Sequence, residues 1–182
     1  MTGTEIVVGV SGGIAAFKTA LVVSQLVQQG AGVTVVLTEA GERFVGAATF
    51  AALTRRPVAT QIFDPQQFPL GAHIELAERA RLLLVAPATA DFLAKAAHGL
   101  ADDLLSTLYL AFAGTVVLAP AMNSRMWSHP AVQRNVAQLR ADGVSFVEPE
   151  EGWLSCRQSG VGRLASPERI IAAVTSLLAP SP

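Results

Sequence analysis

Short apolar runs rich in β-branched residues recur along this chain, each followed by a stretch of helical periodicity, and that alternation restricts the fold more than any other feature. Ile6–Val10, Val33–Leu37, Leu82–Ala86 and Thr115–Ala119 read as buried strands, with weaker strands over Val58–Phe63 and Val144–Val147. Between them, Phe17, Leu21, Val22, Leu26 and Val27 share one face of a helix that Gly30 ends. Further helices are predicted over Arg43–Leu53, Ala90–Ala97, Asp103–Phe112, Val132–Arg140 and Pro167–Leu178. Strands apolar on both faces and separated by helices form parallel sheets covered on each side. The expected fold is therefore α/β, a Rossmann-like (flavodoxin-like) three-layer sandwich with a parallel sheet.

A chain of 182 residues suits one domain over 1–182, with only 179–182, Ala-Pro-Ser-Pro, reading as a frayed tail. Charged residues make up 15% against 51% hydrophobic, well under the usual charged share of about a quarter. Burial between subunits is the natural remedy, so a homo-oligomer is expected. The formal net charge of -1 and the scattered basic residues argue against nucleic acid as a partner. A lone cysteine, Cys156, forms no internal disulfide, and the N-terminus lacks a charged region leading to a cleavage site, so a cytoplasmic protein is expected. No run reaches the roughly 18 uninterrupted apolar residues of a spanning helix, so no membrane span is expected. No His/Cys/Asp/Glu spacing suits a metal, and none is expected.

In open parallel sheets ligands bind beyond the carboxyl ends of the strands, where the strand order reverses. The first such end carries VSGGIAAFK, a nucleotide-binding type of turn in which glycines let the backbone approach an anion that the following helix attracts. The dinucleotide spacing and the Walker-type Gly-Lys-Ser/Thr are both missing, which favours a mononucleotide over NAD or ATP; a ligand-free turn is the alternative. Thr38 ends the second strand and either offers its hydroxyl to the same phosphate or caps a helix. Phe44 either lies against an aromatic ring or fills the core. Pro120–Trp127, PAMNSRMW, places Asn123 at another strand end, and Ser155–Gly160, SCRQSG, carries Cys156 on a polar, glycine-flanked segment led by Trp153 that reads as a flap. Met122 and Met126 read as apolar walls, and His98 and His129 as surface or turn residues.

Taken together, SGGIAAFK, HIEL at His73–Leu76 with LLLVAPATA, GLADDLLST, PAMNSRMW and CRQSGVGRLASP resemble the flavin-dependent cysteine decarboxylases from about Ile6 to Ala173. The resemblance is strongest to the branch acting on 4′-phosphopantothenoyl-L-cysteine in coenzyme A synthesis. It implies FMN bound between neighbouring subunits of a trimer, or of a dodecamer built from trimers. On the matching positions, Gly12, Gly13, Ile14, Thr38, Ala40, Phe44, Thr89, Ala90, Ser106, Ala121 and Met122 would hold the flavin. His73 and Cys156 would be catalytic, and Asn123, Trp153, Ser155 and Met126 would meet the substrate. Asp91 stands where the family often has Asn, and Arg157-Gln158 where it often has Gly followed by an acidic residue or Asn.

The implied reaction oxidises the thiol-bearing carbon to a thioaldehyde, releases carbon dioxide as an ene-thiolate forms, and reduces the ene-thiol to 4′-phosphopantetheine. Flavin supplies the electron sink, and the protein orients the small-molecule substrate. His73 would accept a proton in the first half, unless it is a strand-end histidine bonded to backbone. Asn123 would donate to the substrate carboxylate, unless it merely caps a turn. Cys156 would deliver the last proton, unless it is a small buried hydrophobe. A peptidyl-cysteine decarboxylase, which stops at the ene-thiol, and a non-catalytic regulatory flavoprotein are the alternatives.

Overall fold

The computed structural model describes residues 1–179; of the tail expected over 179–182, positions 180–182 lie outside the described residues. Five parallel strands, β1 (Glu5–Val10), β2 (Gly32–Leu37), β3 (Leu82–Ala88), β4 (Thr115–Pro120) and β5 (Ser145–Phe146), form one sheet in the order β2-β1-β3-β4-β5. Helices flank it: α1 (Ala16–Gln28), α2 (Glu39–Glu42), α3 (Ala47–Thr54), α4 (Ala72–Arg79), α5 (Ala90–His98), α6 (Leu104–Ala111), α7 (Ser124–Trp127), α8 (Pro130–Ala141) and α9 (Pro167–Leu178). The remaining strands, β6 (Glu150–Trp153) and β7 (Ser159–Arg163), pair only with each other, as an antiparallel hairpin.

The period of two along each strand divides the core. Ile6, Val8, Val10, Val33, Val35, Leu82 and Leu84 face a cluster that includes Val22, Leu26, Ile170 and Val174 from α1 and α9. Val7, Val36, Leu83, Val85 and Leu118 face the other side, against Leu76, Phe92, Leu105, Leu108 and Val136. Every residue of β3, the central strand, is buried, as its unbroken apolar run requires.

Local chemistry accounts for the element ends. Thr89, Asp103 and Ser166 cap α5, α6 and α9 with side-chain oxygens, and Pro130 and Pro167 open α8 and α9. Gly99 ends α5 in the left-handed region, φ 67°.

Three expectations need correction. The strand expected over Val58–Phe63 reduces to a single bridge between Ala59 and Val36. Of the helix expected over Arg43–Leu53 only α3, from Ala47, forms: Arg43 is the C-cap of the short α2 before it, and Gly46, extended at φ -68°, ψ 150°, restarts the chain as the cap of α3. The HIEL segment is a helix, α4, rather than a strand end, so the histidine reading attached to a strand end does not apply.

Candidate functional site at the strand-order reversal

The sheet order reverses between β1 and β3, and Ser11 ties the two strand ends together. Its hydroxyl donates to Pro87 O at 2.6 Å and accepts from Thr89 N at 3.0 Å. Thr89 Oγ1 in turn accepts from Phe92 N at 3.4 Å and starts α5. Thr38, at the end of β2, accepts from Gly41 N at 3.0 Å, so its hydroxyl does cap a helix while the residue also faces the cavity. A Cβ on Gly12 would run into Ala40 Cβ, so the turn after β1 can approach α2 only as glycine.

The first turn of α1 has Ala15 at its cap and no side-chain cap. Among the described residues nothing accepts from the N–H groups of Gly12, Gly13, Ile14 and Ala15. Orphan donors at the positive end of a 13-residue helix are a ready receptor for an anion.

The opposite wall comes from the loop before α7 and from the hairpin. Met122 N donates to Gly162 O at 2.9 Å, and Cβ atoms on Gly160 or Gly162 would collide with Ser124 Oγ or Met122 O. The hairpin is thereby pressed onto the PAMN loop. Asn123 works on both sides: Oδ1 accepts from Arg125 N at 2.8 Å, capping α7, while Nδ2 donates to Cys156 Sγ at 3.2 Å. Cys156 sits in the hairpin turn, closed by Arg157 N donating to Leu154 O and Leu154 N to Gln158 O, each 2.9 Å. Cys156 is exposed, which removes the buried-hydrophobe reading.

A cavity of about 880 Å³ opens between these walls, within the usual size of small-molecule sites, about 300–1,000 Å³. Of the residues singled out for a flavin, Gly12, Gly13, Ile14, Thr38, Ala40, Thr89, Ala90, Ala121 and Met122 line it. Asn123, Met126, Trp153, Ser155 and Cys156 line its other side. Three expected residues do not. Ser106 is buried in a capping box with Asp103, behind the cavity wall. Phe44 is exposed between α2 and α3 rather than in the core. His73 lies on α4 outside the lining, its Nδ1 buried and without a partner among the described residues.

Charged residues that the strand-end reading passed over also reach the cavity. Lys95 Nζ lies 3.3 Å from Asp91, 3.0 Å from Asp102 and 3.3 Å from Asp103. Burial alone would depress this ammonium, but hydrogen bonds to Asp102, Asp103 and Asp91, with the charge of Asp103, outweigh it and hold its pKa above the ordinary lysine value. Asp102 is held low, first by its hydrogen bond from Lys95. Asp91 thus serves Lys95, and the i, i+4 spacing of that pair was the available sequence signal. Among the described residues no group of His, Cys, Asp and Glu could hold a metal ion, and no helix is long and apolar enough to cross a membrane.

A parallel sheet in this strand order, with a glycine cradle and an uncapped helix at the reversal, defines a doubly wound α/β protein that holds an anionic ligand at its strand tips. The chain belongs to the Flavoprotein family, whose pattern matches residues 1–179. It is 47% identical over 171 residues to the coenzyme A biosynthesis bifunctional protein CoaBC of Bacillus subtilis (strain 168), covering 94% of this chain and 42% of that protein. The chain therefore spans about two-fifths of the length of that relative. Among solved structures, SpaF, described as an FMN-dependent cysteine decarboxylase, superposes with a TM-score of 0.80 at 36% identity, over 95% of this chain and 98% of that one. A cysteine-to-serine mutant of PPC decarboxylase complexed with pantothenoylaminoethenethiol gives a TM-score of 0.83 at 26% identity, over 95% and 97%.

Proposed function

We propose that this protein is an FMN-dependent decarboxylase of 4′-phosphopantothenoyl-L-cysteine, forming 4′-phosphopantetheine in the cytoplasm. The observation that carries the reading is the 3.2 Å contact between Asn123 Nδ2 and Cys156 Sγ at the cavity wall. An amide donor and a thiol held side by side suit one substrate that presents a carboxylate and later needs a proton. The glycine cradle, the unpaired N–H groups of Gly12–Ala15 and the apolar Ile14 and Met122 fit a flavin mononucleotide, phosphate toward α1. Flavin, when bound, supplies the electron sink that makes carbon dioxide loss from a cysteinyl carbon accessible.

The chain's own residues would then do three things. Asn123 donates its amide N–H to the carboxylate without adding a charge that would retain it. Cys156, on the hairpin turn, delivers the final proton to carbon. His73 accepts the first proton, but from the cavity of another copy, because α4 does not reach the cavity of its own subunit. Exposed apolar residues flank His73 in sequence, Leu70 at 71% and Ile74 at 40% exposure, and others, Ile14 and Phe17, rim the cavity. Joining two different faces is a heterologous contact, which closes into rings. A homotrimer, or a dodecamer of trimers, is part of this proposal.

Carbon dioxide release from phosphopantothenoylcysteine by flavin-loaded protein tests the reading; turnover only of peptides ending in cysteine would replace it with a peptidyl-cysteine decarboxylase. Cys156→Ser should still release carbon dioxide while the ene-thiol accumulates by mass spectrometry. Unchanged yield of phosphopantetheine would show that the thiol plays no chemical part.

A further inference from the structure

Charge is unevenly placed around the cavity. Asp91 on α5 and Asp102 and Asp103 at the start of α6 gather on one wall, with Lys95 as the cation among them. The Lys95 side chain is only 19% exposed, and its Nζ reaches all three carboxylates, at 3.3, 3.0 and 3.3 Å. Asp103 is held in place, because its Oδ1 also accepts from Ser106 N at 2.7 Å and from the Ser106 hydroxyl at 2.9 Å. Tying α5 to α6 would need only that one ion pair. Three carboxylates against one ammonium instead leave this wall negative even with the lysine present, and more so without it. Asp91 follows directly on Thr89 and Ala90, two of the cavity residues fitted to the flavin, and Lys95 stands one helical turn further along α5.

We infer that Lys95 is a positioning residue whose ammonium offsets Asp91, Asp102 and Asp103 at the flavin wall and so sets the potential at which the bound cofactor accepts electrons. The inference rests on the proposed placement of FMN in this cavity. Two electrons taken up with one proton make the reduced flavin one unit more negative than the oxidised form. A wall of uncompensated carboxylates opposes that added charge and favours the oxidised cofactor. Under the proposed reaction the flavin takes electrons from a cysteinyl carbon and later returns them, so its potential bears on both halves. Lys95 acts through the carboxylates it neutralises and needs no contact with the ring.

The midpoint potential of the flavin-loaded protein, equilibrated with a reference dye at fixed pH and salt, tests this beside the dissociation constant of oxidised FMN. Lys95→Met should weaken reduced relative to oxidised binding about three- to tenfold, a fall of about 15–30 mV for a two-electron couple. Lys95→Arg should keep the original potential. Adding Asp102→Asn to Lys95→Met should restore most of it, since Asp102, unlike Asp103, does not cap α6. A strut that only ties α5 to α6 would weaken both redox states equally and leave the potential where it was; that result, or a potential that rises, would overturn the inference. Where Lys95→Met does not fold, Asp102→Asn alone should raise the potential, and an unmoved value would overturn the inference as well. Because no substrate is present, a flavin-loaded protein that releases no carbon dioxide would refute the proposed reaction and leave this result standing, whereas failure to bind FMN would overturn both.

Discussion

Arg157 occupies a conformation that favours glycine. With φ at 61° it is one of two non-glycine residues in the left-handed region among the described residues, and it completes the turn that carries Cys156. An L-residue there costs roughly 1–2 kcal/mol, while glycine loses some of that gain to unfolded-state entropy. Arg157→Gly should therefore stabilise the fold by roughly 0.5–1 kcal/mol, read as a higher urea midpoint. A lower midpoint would mean that the guanidinium makes stabilising contacts that outweigh the backbone cost. Single positions were legible in sequence where backbone geometry dictated them, as at Gly12 and Asn123. Ser106 and Phe44 were misplaced for the opposite reason: their types suit a ligand, but Asp103 claims the hydroxyl and the break between α2 and α3 turns the ring outward.

At the scale of elements, the hairpin is anchored to α9 through Glu150. Ser166 N and the two arginines hold its carboxyl below the usual range, the backbone hydrogen bond being the largest cause. The unfolded glutamate binds its proton more tightly than the folded one. The stabilisation is thus fully present above the unfolded pKa, about 4.3, and is lost as pH falls through the lower folded value. Hydrogen-exchange protection across β6 and β7, taken relative to the intrinsic rate at each pH, should fall in that acid window, whereas Glu150→Gln should be less protected at neutral pH and show little further change on acidification. A variant that keeps the same acid response would assign the effect to other groups. The four long strands were readable because each apolar run is bounded by turn chemistry. Helix α4 was not, because Pro69 and Gly71 crowd its start and Gly71, at φ 101°, offers no side-chain cap. The hairpin escaped notice because glycines at 152, 160 and 162 dilute its alternation.

For the whole molecule, the separation of His73 from Asn123 and Cys156 within one subunit leads to a complementation test of the proposed ring. His73→Ala and Cys156→Ser should each fail to make phosphopantetheine, yet reassembled mixtures should regain about a quarter of the sites, since a heterologous interface can pair one intact histidine with one intact thiol. No recovery after verified subunit exchange would return all three residues to a single subunit or exclude His73. The proposed assembly has its sequence signals in the low charged fraction and in the family resemblance, while which faces would meet depends on packing between copies. The hairpin's ladder shares no rung with the five-stranded sheet, so the thiol travels on a part that can be altered without disturbing the cavity floor. Under the proposed reaction, lineages could retune how it ends by editing a few codons between Ser155 and Gln158, while inheriting intact the machinery that begins it.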